Sequence, residues 1–112
     1  MLAEHCKDIT HLDLGNCPYV TNQTIMRVAD LYPNLVHLDI SYTNVGDEAV
    51  SYLSQRCRKL KDIRLWVTPI TDDSLWALIH GCPEIQKIDV RNTNTNSHEW
   101  KHKCPHVQFL FS

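Results

Sequence analysis

The sequence has only three glycines, no run of like charge and no long apolar stretch. The glycines are dispersed along the chain, which excludes a glycine-rich loop that cradles phosphate groups. Eleven Lys and Arg residues stand against thirteen Asp and Glu, a net charge of -2. We therefore expect neither a nucleic acid nor an anionic membrane surface as partner. Because the N-terminus lacks the basic and apolar regions of a secretory signal, we expect no signal peptide and no membrane span.

Motifs for catalysis and for cofactor binding are also missing. The sequence shows no nucleophile–base pair and no paired buried carboxylates, so we expect no enzyme activity, no catalytic residue and no cofactor. His98 and His102 have the i, i+4 spacing of a helical zinc pair, and Cys104 and His106 follow them. We favour a solvated terminal segment without a metal, because Cys104 has a packing role in the pattern described next. A zinc site is the alternative.

One line of sequence occurs five times along the chain. The copies are CKDITHLDL, YPNLVHLDI, CRKLKDIRL, CPEIQKIDV and the shorter CPHVQFLF, which begin at residues 6, 32, 57, 82 and 104. Apolar residues occupy the fourth, seventh and ninth places of the full copies. This period and spacing are typical of a leucine-rich repeat. We predict an α/β fold, a right-handed leucine-rich-repeat solenoid with parallel strands on the concave face and helices on the convex face.

The cysteines follow the repeat. Cys6, Cys57, Cys82 and Cys104 open four of the copies, and Tyr32 takes the same place in the second. A place that accepts Tyr is a packing position, so we expect buried, reduced thiols rather than disulfides. Such thiols favour a cytoplasmic or nuclear protein over an extracellular disulfide scaffold.

Each predicted strand is followed by a turn and a helix. The helix start has side chains that accept hydrogen bonds from free N–H groups, which are typical N-caps. These predicted caps are Asn22, Asp47 and Asp72, with Thr21 and Thr71 beside them. The helices should end at Pro33, Pro83 and Pro105, because proline cannot continue a helix.

The two ends of the array differ. Residues 2–6 match residues 53–57, the last helical turn of a repeat, so the chain is expected to begin partway through a repeat. We expect residues 1–112 to form one array, the C-terminal part of a longer one. Alternatively, a partner or a second copy of the chain covers the open first repeat, which would give self-association. At the other end Trp100 takes the place of Val50 and Leu75, and residues 91–112 are predicted to be a shortened capping repeat.

The clearest copies of the full pattern are LDLGNCPYVTNQTI at residues 12–25 and ITDDSLWALIHGCPEIQKIDV at residues 70–90. This pattern resembles the cysteine-containing leucine-rich repeats of F-box proteins and of the related mitotic-exit antagonist family. In the F-box members, the resemblance implies a substrate receptor. An N-terminal F-box docks on the Skp1-like adaptor of a cullin ubiquitin ligase, and the repeats hold the target. This sequence contains no F-box, so a Skp1-like adaptor is expected only if an F-box lies upstream.

Exposed side chains of the predicted strands should line up in columns across the concave face, because parallel strands lie about 4.8 Å apart. The first column is His11, His37, Asp62, Lys87 and Phe109. The second is Asp13, Asp39, Arg64, Asp89 and Phe111. A third, just after the strands, is Gly15, Ser41, Trp66 and Arg91.

A protein-binding site is predicted around Trp66, because exposed Trp and Arg side chains dominate interface hot spots. The predicted binding residues are Trp66, Arg64, Arg91, Asp39, Asp89, His37, Asp62, Lys87, Phe109 and Phe111. Three alternatives stay open: Trp66 packs over Pro69, the two phenylalanines cap the last repeat, and the charged columns form ion pairs that only solvate the sheet.

The sequence therefore predicts a recognition module that holds a protein partner on its concave face, most directly the substrate-binding repeats of a ubiquitin ligase receptor. The alternative is a stand-alone regulatory or assembly factor of the same repeat type. GTPase activation is a weaker third class, which would require an exposed arginine placed by the first repeats.

Overall fold

The computed structural model of the chain describes residues 8–111. Short strands alternate with helices, as the repeat predicts. The elements are β1 (His11–Asp13), α1 (Asn22–Leu31), β2 (His37–Asp39), α2 (Asp47–Arg56), β3 (Asp62–Arg64), α3 (Asp72–Gly81), β4 (Lys87–Asp89), α4 (Ser97–Lys103) and β5 (Gln108–Leu110). The strands form one sheet in the order β1-β2-β3-β4-β5, and every neighbouring pair is parallel. The predicted α/β leucine-rich-repeat solenoid is confirmed.

The aliphatic places of the repeat build the core between the sheet and the helices. Leu35, Leu38 and Ile40 of the second copy are buried, and the same places of the third and fourth copies are buried too. Ile25 and Leu53 reach this core from α1 and α2. Burying side chains of this size contributes about 1.5–3 kcal/mol each, so the spacing of apolar residues in the repeat determines which face of each element packs inward.

Cysteine at the first place of the repeat packs as predicted. Cys57 and Cys82 are fully buried and Cys104 nearly so, all as free thiols. The Cys57 thiol lies 3.5 Å from the carbonyl of Tyr32, and the Cys82 thiol lies 3.4 Å from the carbonyl of Cys57. Burial raises the pKa of Cys57 to about 11 and that of Cys82 to about 12. Both thiols stay protonated at neutral pH; Cys6 lies outside the described residues.

Of the predicted N-caps, Thr21 and Thr71 are confirmed, whereas the prediction for Asn22, Asp47 and Asp72 is wrong. They are the first helical residues, and the N-caps are Thr21, Gly46 and Thr71. At the first helical position the Cα–Cβ bond tilts toward the helix N-terminus. The three side chains therefore reach the next repeat, where each accepts a 2.8 Å hydrogen bond from a backbone N–H; the donors are Gly46, Thr71 and Asn96, respectively. These three bonds form a ladder that links consecutive repeats.

The last repeat has a different register from the one that the sequence predicts. Gln108 pairs with Lys87, Phe109 with Ile88 and Leu110 with Asp89. The strand begins directly after Val107, so this copy is one residue shorter than the others before its strand. The deletion turns Phe109 into the core, where it is only 7% exposed, and the placing of Phe109 in an exposed column is wrong.

The final helix is also short. It has seven residues, whereas each of the other three has ten. Trp100 lies partly buried against the core at the place of Val50 and Leu75. The ends of the helices agree with the proline prediction to within two residues, because α1, α3 and α4 stop two residues before Pro33, Pro83 and Pro105.

Candidate functional site

The first four strands carry the two predicted columns in the predicted register. His11, His37, Asp62 and Lys87 are aligned, and so are Asp13, Asp39, Arg64 and Asp89. The residue between them on each strand points into the core, as the period of two requires. Side chains about 25 residues apart in sequence thus become neighbours on the concave face.

The N-terminal half of this face forms an open depression of about 370 Å³. The rings of His11 and His37 stack there at 4.3 Å, and His37 Nδ1 lies 3.4 Å from Asp62 Oδ2. Asp13 and Asp39 complete the acidic side, and Arg64 closes the depression toward β4. Three carboxylates face one arginine, so the half carries a net negative charge.

Asp residues in the second column hold the turns that follow the strands. The carboxylates of Asp13 and Asp39 accept hydrogen bonds from the backbone N–H groups of Gly15 and Ser41, at 2.9 and 3.0 Å. Neither Asp39 nor Asp89 forms an ion pair with Arg64 within residues 8–111. Lateral ion pairs are therefore not what the structure shows for Arg64 in the second column, and this side chain stays exposed.

Trp66 lies at the centre of a cluster at the carboxyl ends of the strands. Its ring meets Tyr42 edge to face at 4.7 Å, and the guanidinium of Arg91 lies 5.0 Å from the ring centre. Arg91 donates to both carboxylate oxygens of Asp89, at 3.0 and 2.7 Å. Asp89 is only 1% exposed, and the bonds to it raise the pKa of Arg91. We call Tyr42, Trp66, Asp89 and Arg91 the Trp66 platform.

The backbone beneath the platform is strained. The residues that follow the third column have positive φ in four consecutive repeats; they are Asn16 (61°), Tyr42 (57°), Val67 (54°) and Asn92 (55°). Asn tolerates this left-handed region, but bulky and β-branched residues do not, at a cost of about 1–3 kcal/mol each. The turns at Tyr42 and Val67 therefore carry strain. Tyr42 contacts the Trp66 ring, and Val67 directly follows Trp66 in the chain.

The structure unites Trp66, Arg91 and Asp89, and separately His37, Asp39, Asp62 and Arg64; Lys87 lies half-buried between the two groups. Phe111 packs partly buried at the end of the core, and its ring meets His98 at 4.2 Å. Neither phenylalanine forms the predicted exposed patch, because both pack at the C-terminal end of the array.

Sequence reasoning missed Tyr42 and Trp76. Tyr42 is 44% exposed and completes the platform, and only the left-handed turn brings it to Trp66. Trp76 is 57% exposed on the helix side. The helical period gave a signal for Trp76, since Leu75 and Leu78 face the core and Trp76 falls on the outer face of the helix.

No three His, Cys, Asp or Glu side chains within residues 8–111 lie close enough together to hold a metal ion. In the same part of the chain no helix is both long and apolar enough to cross a bilayer.

Comparison with known proteins supports the repeat type and the fold. A family profile described as "Leucine Rich repeat" matches residues 33–54. The solved structure titled "Leiomodin-1 Actin-Binding Site 2 (ABS2)" has a similar fold, with a TM-score of 0.74 at 11% identity, covering 98% of this chain and 76% of that one. Residues 33–54 thus match a leucine-rich repeat, and the chain has the α/β solenoid fold of such repeats.

Its curated relatives include a protein named as an F-box/LRR-repeat protein. F-box/LRR-repeat protein 23 from Arabidopsis thaliana is 23% identical over 97% of this chain, and a Transport inhibitor response 1-like protein from Oryza sativa subsp. japonica is 23% identical over 79%. The chain spans only 26% and 16% of the lengths of these relatives. It is thus a leucine-rich-repeat protein-interaction module with F-box/LRR relatives.

Proposed function

We propose that the chain is the target-holding part of a ubiquitin ligase substrate receptor, and that it binds its target protein through the concave face. The observation that carries this proposal is the Trp66 platform. A partly buried Trp ring held between a Tyr ring and an Arg has the composition of an interface hot spot. Because its members already contact one another, little side-chain entropy is lost when a partner binds. The F-box/LRR relatives supply the ligase part of the proposal.

The charges on the face favour a target of a particular kind. Asp13, Asp39 and Asp62 lie on three consecutive strands and line the depression beside the platform. A target with an apolar residue for Trp66 and a basic residue for the depression would be complementary to both. Complementary charge of this kind increases the association rate and the specificity more than the affinity.

The proposed function also implies an adaptor protein and a cellular compartment. A Skp1-like adaptor would bind through an upstream F-box and not through the repeats. The cytoplasm or the nucleus is the proposed compartment, because Cys57 and Cys82 are buried free thiols in a protein whose packing needs them reduced. No catalytic role is proposed for the repeats.

A stand-alone regulatory or assembly factor is the second candidate. The similar structure from leiomodin-1 is titled as an actin-binding site, so this fold also serves a protein that is not described as an F-box protein. In that case the same platform would bind a partner whose lifetime does not depend on the chain.

An affinity purification from cells tests both candidates. The native protein is tagged in three forms: unchanged, Trp66→Ala, and Tyr19→Ala as a control that removes an exposed aromatic outside the platform. We expect a Skp1-like adaptor with all three, and one target lost about tenfold with Trp66→Ala only. The target should persist longer in cells that lack the protein.

Two results would contradict the proposal. Absence of the adaptor together with a Trp66-dependent partner would favour the stand-alone factor. Equal recovery of every partner with Trp66→Ala would show that the platform does not bind. Urea unfolding of the variants serves as the folding control.

A further inference from the structure

The helix side of the molecule has a second aromatic surface, opposite the concave face. Trp76 on α3 is 57% exposed, and its ring stacks on His80 at 4.2 Å with an angle of 23° between the planes. His80 donates from Nδ1 to the carbonyl of Trp76 at 2.8 Å, which fixes the stacked pair. Beside this pair, a groove of about 270 Å³ runs between α2 and α3, with Gln55 and Arg58 on its other wall.

The preceding groove, between α1 and α2, is bridged by the chain itself. Tyr52 reaches across from α2, and its hydroxyl donates to both carboxylate oxygens of Asp30 on α1, at 2.8 and 3.0 Å. Arg56 pairs with the same carboxylate at 3.0 Å, and its guanidinium lies 3.9 Å over the Tyr52 ring. An aromatic ring with a cation over it therefore fits between neighbouring helices of this array.

The equivalent places leave the groove between α2 and α3 open. One repeat further along, 25 residues on, Tyr52 becomes Ala77, Arg56 becomes Gly81 and the acceptor Asp30 becomes Gln55. Ala77 is too small to cross the groove, and it is buried on the groove floor. The polar acceptor on the opposite wall is kept, because the Gln55 amide oxygen can accept a hydrogen bond from a hydroxyl.

Gly81 keeps the groove in this shape. A Cβ atom at Gly81 would lie 2.6 Å from the carbonyl oxygen and 2.8 Å from the Cβ of Ser54, which is too close for any side chain. The end of α3 therefore approaches α2 more closely than any residue except glycine would allow. The groove has a backbone floor and one aromatic wall.

We propose that this groove binds a peptide segment of a partner protein by taking up one aromatic side chain, with an acidic residue of the segment beside it. The aromatic ring would take the place that Tyr52 fills in the preceding groove, against Trp76 and within reach of Gln55. Charge complementarity identifies the acidic residue, since Arg58 is the permanent cation of the groove wall and no carboxylate from the described residues lines it. The surface is separate from the Trp66 platform and does not depend on it.

A displayed library of random 12-residue peptides tests the proposal on the full chain. Selected sequences should combine Tyr, Phe or Trp with Asp or Glu. For the synthetic peptides, Trp76→Ala and Arg58→Glu should each weaken binding about tenfold, whereas Trp66→Ala should leave it within about twofold. Replacing the aromatic residue of the peptide by Ala should have the same effect as Trp76→Ala.

Ala77→Tyr is the sharpest variant, because it puts into this groove the side chain that bridges the other one. It should abolish peptide binding while the thermal midpoint stays the same or rises, so lost binding cannot be attributed to unfolding. The proposal is overturned if selected peptides lack an aromatic residue, if Ala77→Tyr leaves binding unchanged, or if no peptide is enriched. Sedimentation that shows a dimer lost in Trp76→Ala would overturn it too, since the occupant would then be a second copy of the chain.

Discussion

Removing the Asp47 carboxylate should destabilise the array more than any other change in the ladder between repeats. Asp47 on α2 accepts from the Thr71 backbone N–H at 2.8 Å, the Thr71 hydroxyl at 2.6 Å and the Ser74 hydroxyl at 2.6 Å. Hydrogen bonds to charged groups contribute about 1.5–3 kcal/mol each. Position 47 is half-exposed, so in Asp47→Ala water satisfies part of the lost hydrogen bonding of Thr71 and Ser74. We therefore expect a loss of about 3 kcal/mol in the free energy of unfolding.

Matched variants separate the hydrogen bonds from a general effect of the helix start. Asp72→Ala removes the same kind of residue one repeat later, where the carboxylate accepts from the Asn96 N–H, and should lose about 1 kcal/mol. Asp47→Asn keeps one acceptor oxygen and should lie between the two alanine variants. Urea unfolding at pH 7 measures all three, and an unchanged denaturant slope shows that the native and unfolded states have kept their exposed surface.

The pH dependence gives an independent check. Burial raises the pKa of Asp47, but the hydrogen bonds from Ser74 and Thr71 lower it by more, so the folded pKa lies below 3.8. A folded pKa below the unfolded one contributes stability above the unfolded value, and the contribution is lost as pH falls through the folded pKa. The difference between wild type and Asp47→Ala should stay constant from pH 7 to about pH 5 and shrink below about pH 4. Equal losses for Asp47→Ala and Asp72→Ala, or a difference that grows in acid, would refute the reasoning.

Three further changes test the packing by thermal or urea unfolding. Val67→Asn should stabilise the protein by about 1 kcal/mol, because Asn tolerates the positive φ at this position; no gain would mean that the turn is unstrained. Gly81→Ala should destabilise it by about 2 kcal/mol through the clash with Ser54, and a neutral result would show that the helices separate freely. Phe109→Ala should lower the free energy of unfolding by about 3 kcal/mol, and Phe111→Ala should lower it clearly less. The opposite order would favour the register that the sequence predicts.

The repeat made most of the fold predictable because its apolar places recur at a constant spacing. In the first four copies, a shift by one residue would put Asp13 or Arg64 into the core, so only one register is possible. The last copy offers no such constraint. Phe109, Leu110 and Phe111 are all apolar, and every register buries an apolar side chain. The apolar pattern therefore could not show that the last copy is one residue shorter before β5.

The N-cap error has a similar cause. Asn and Asp are favoured both as caps and in the first helical turn, where they complement the helix dipole. The sequence therefore indicated that Asp47 lies at a helix start, but not whether its carboxylate turns to its own helix or to the next repeat. That choice depends on the distance to Thr71, which only the stacking of the repeats determines.

The candidate binding surfaces lie where the repeats differ, not where they agree. Shared residues such as Leu38 and Ile63 specify the sheet, and any leucine-rich-repeat protein would have them. Trp66 replaces the Ser41 of the preceding repeat and creates the platform. Ala77 replaces Tyr52 and leaves a groove open that the preceding repeat bridges. A regular repeat fixes where each side chain stands, so a single substitution between repeats changes the local surface without changing the fold, and each such substitution is a place to look for a partner.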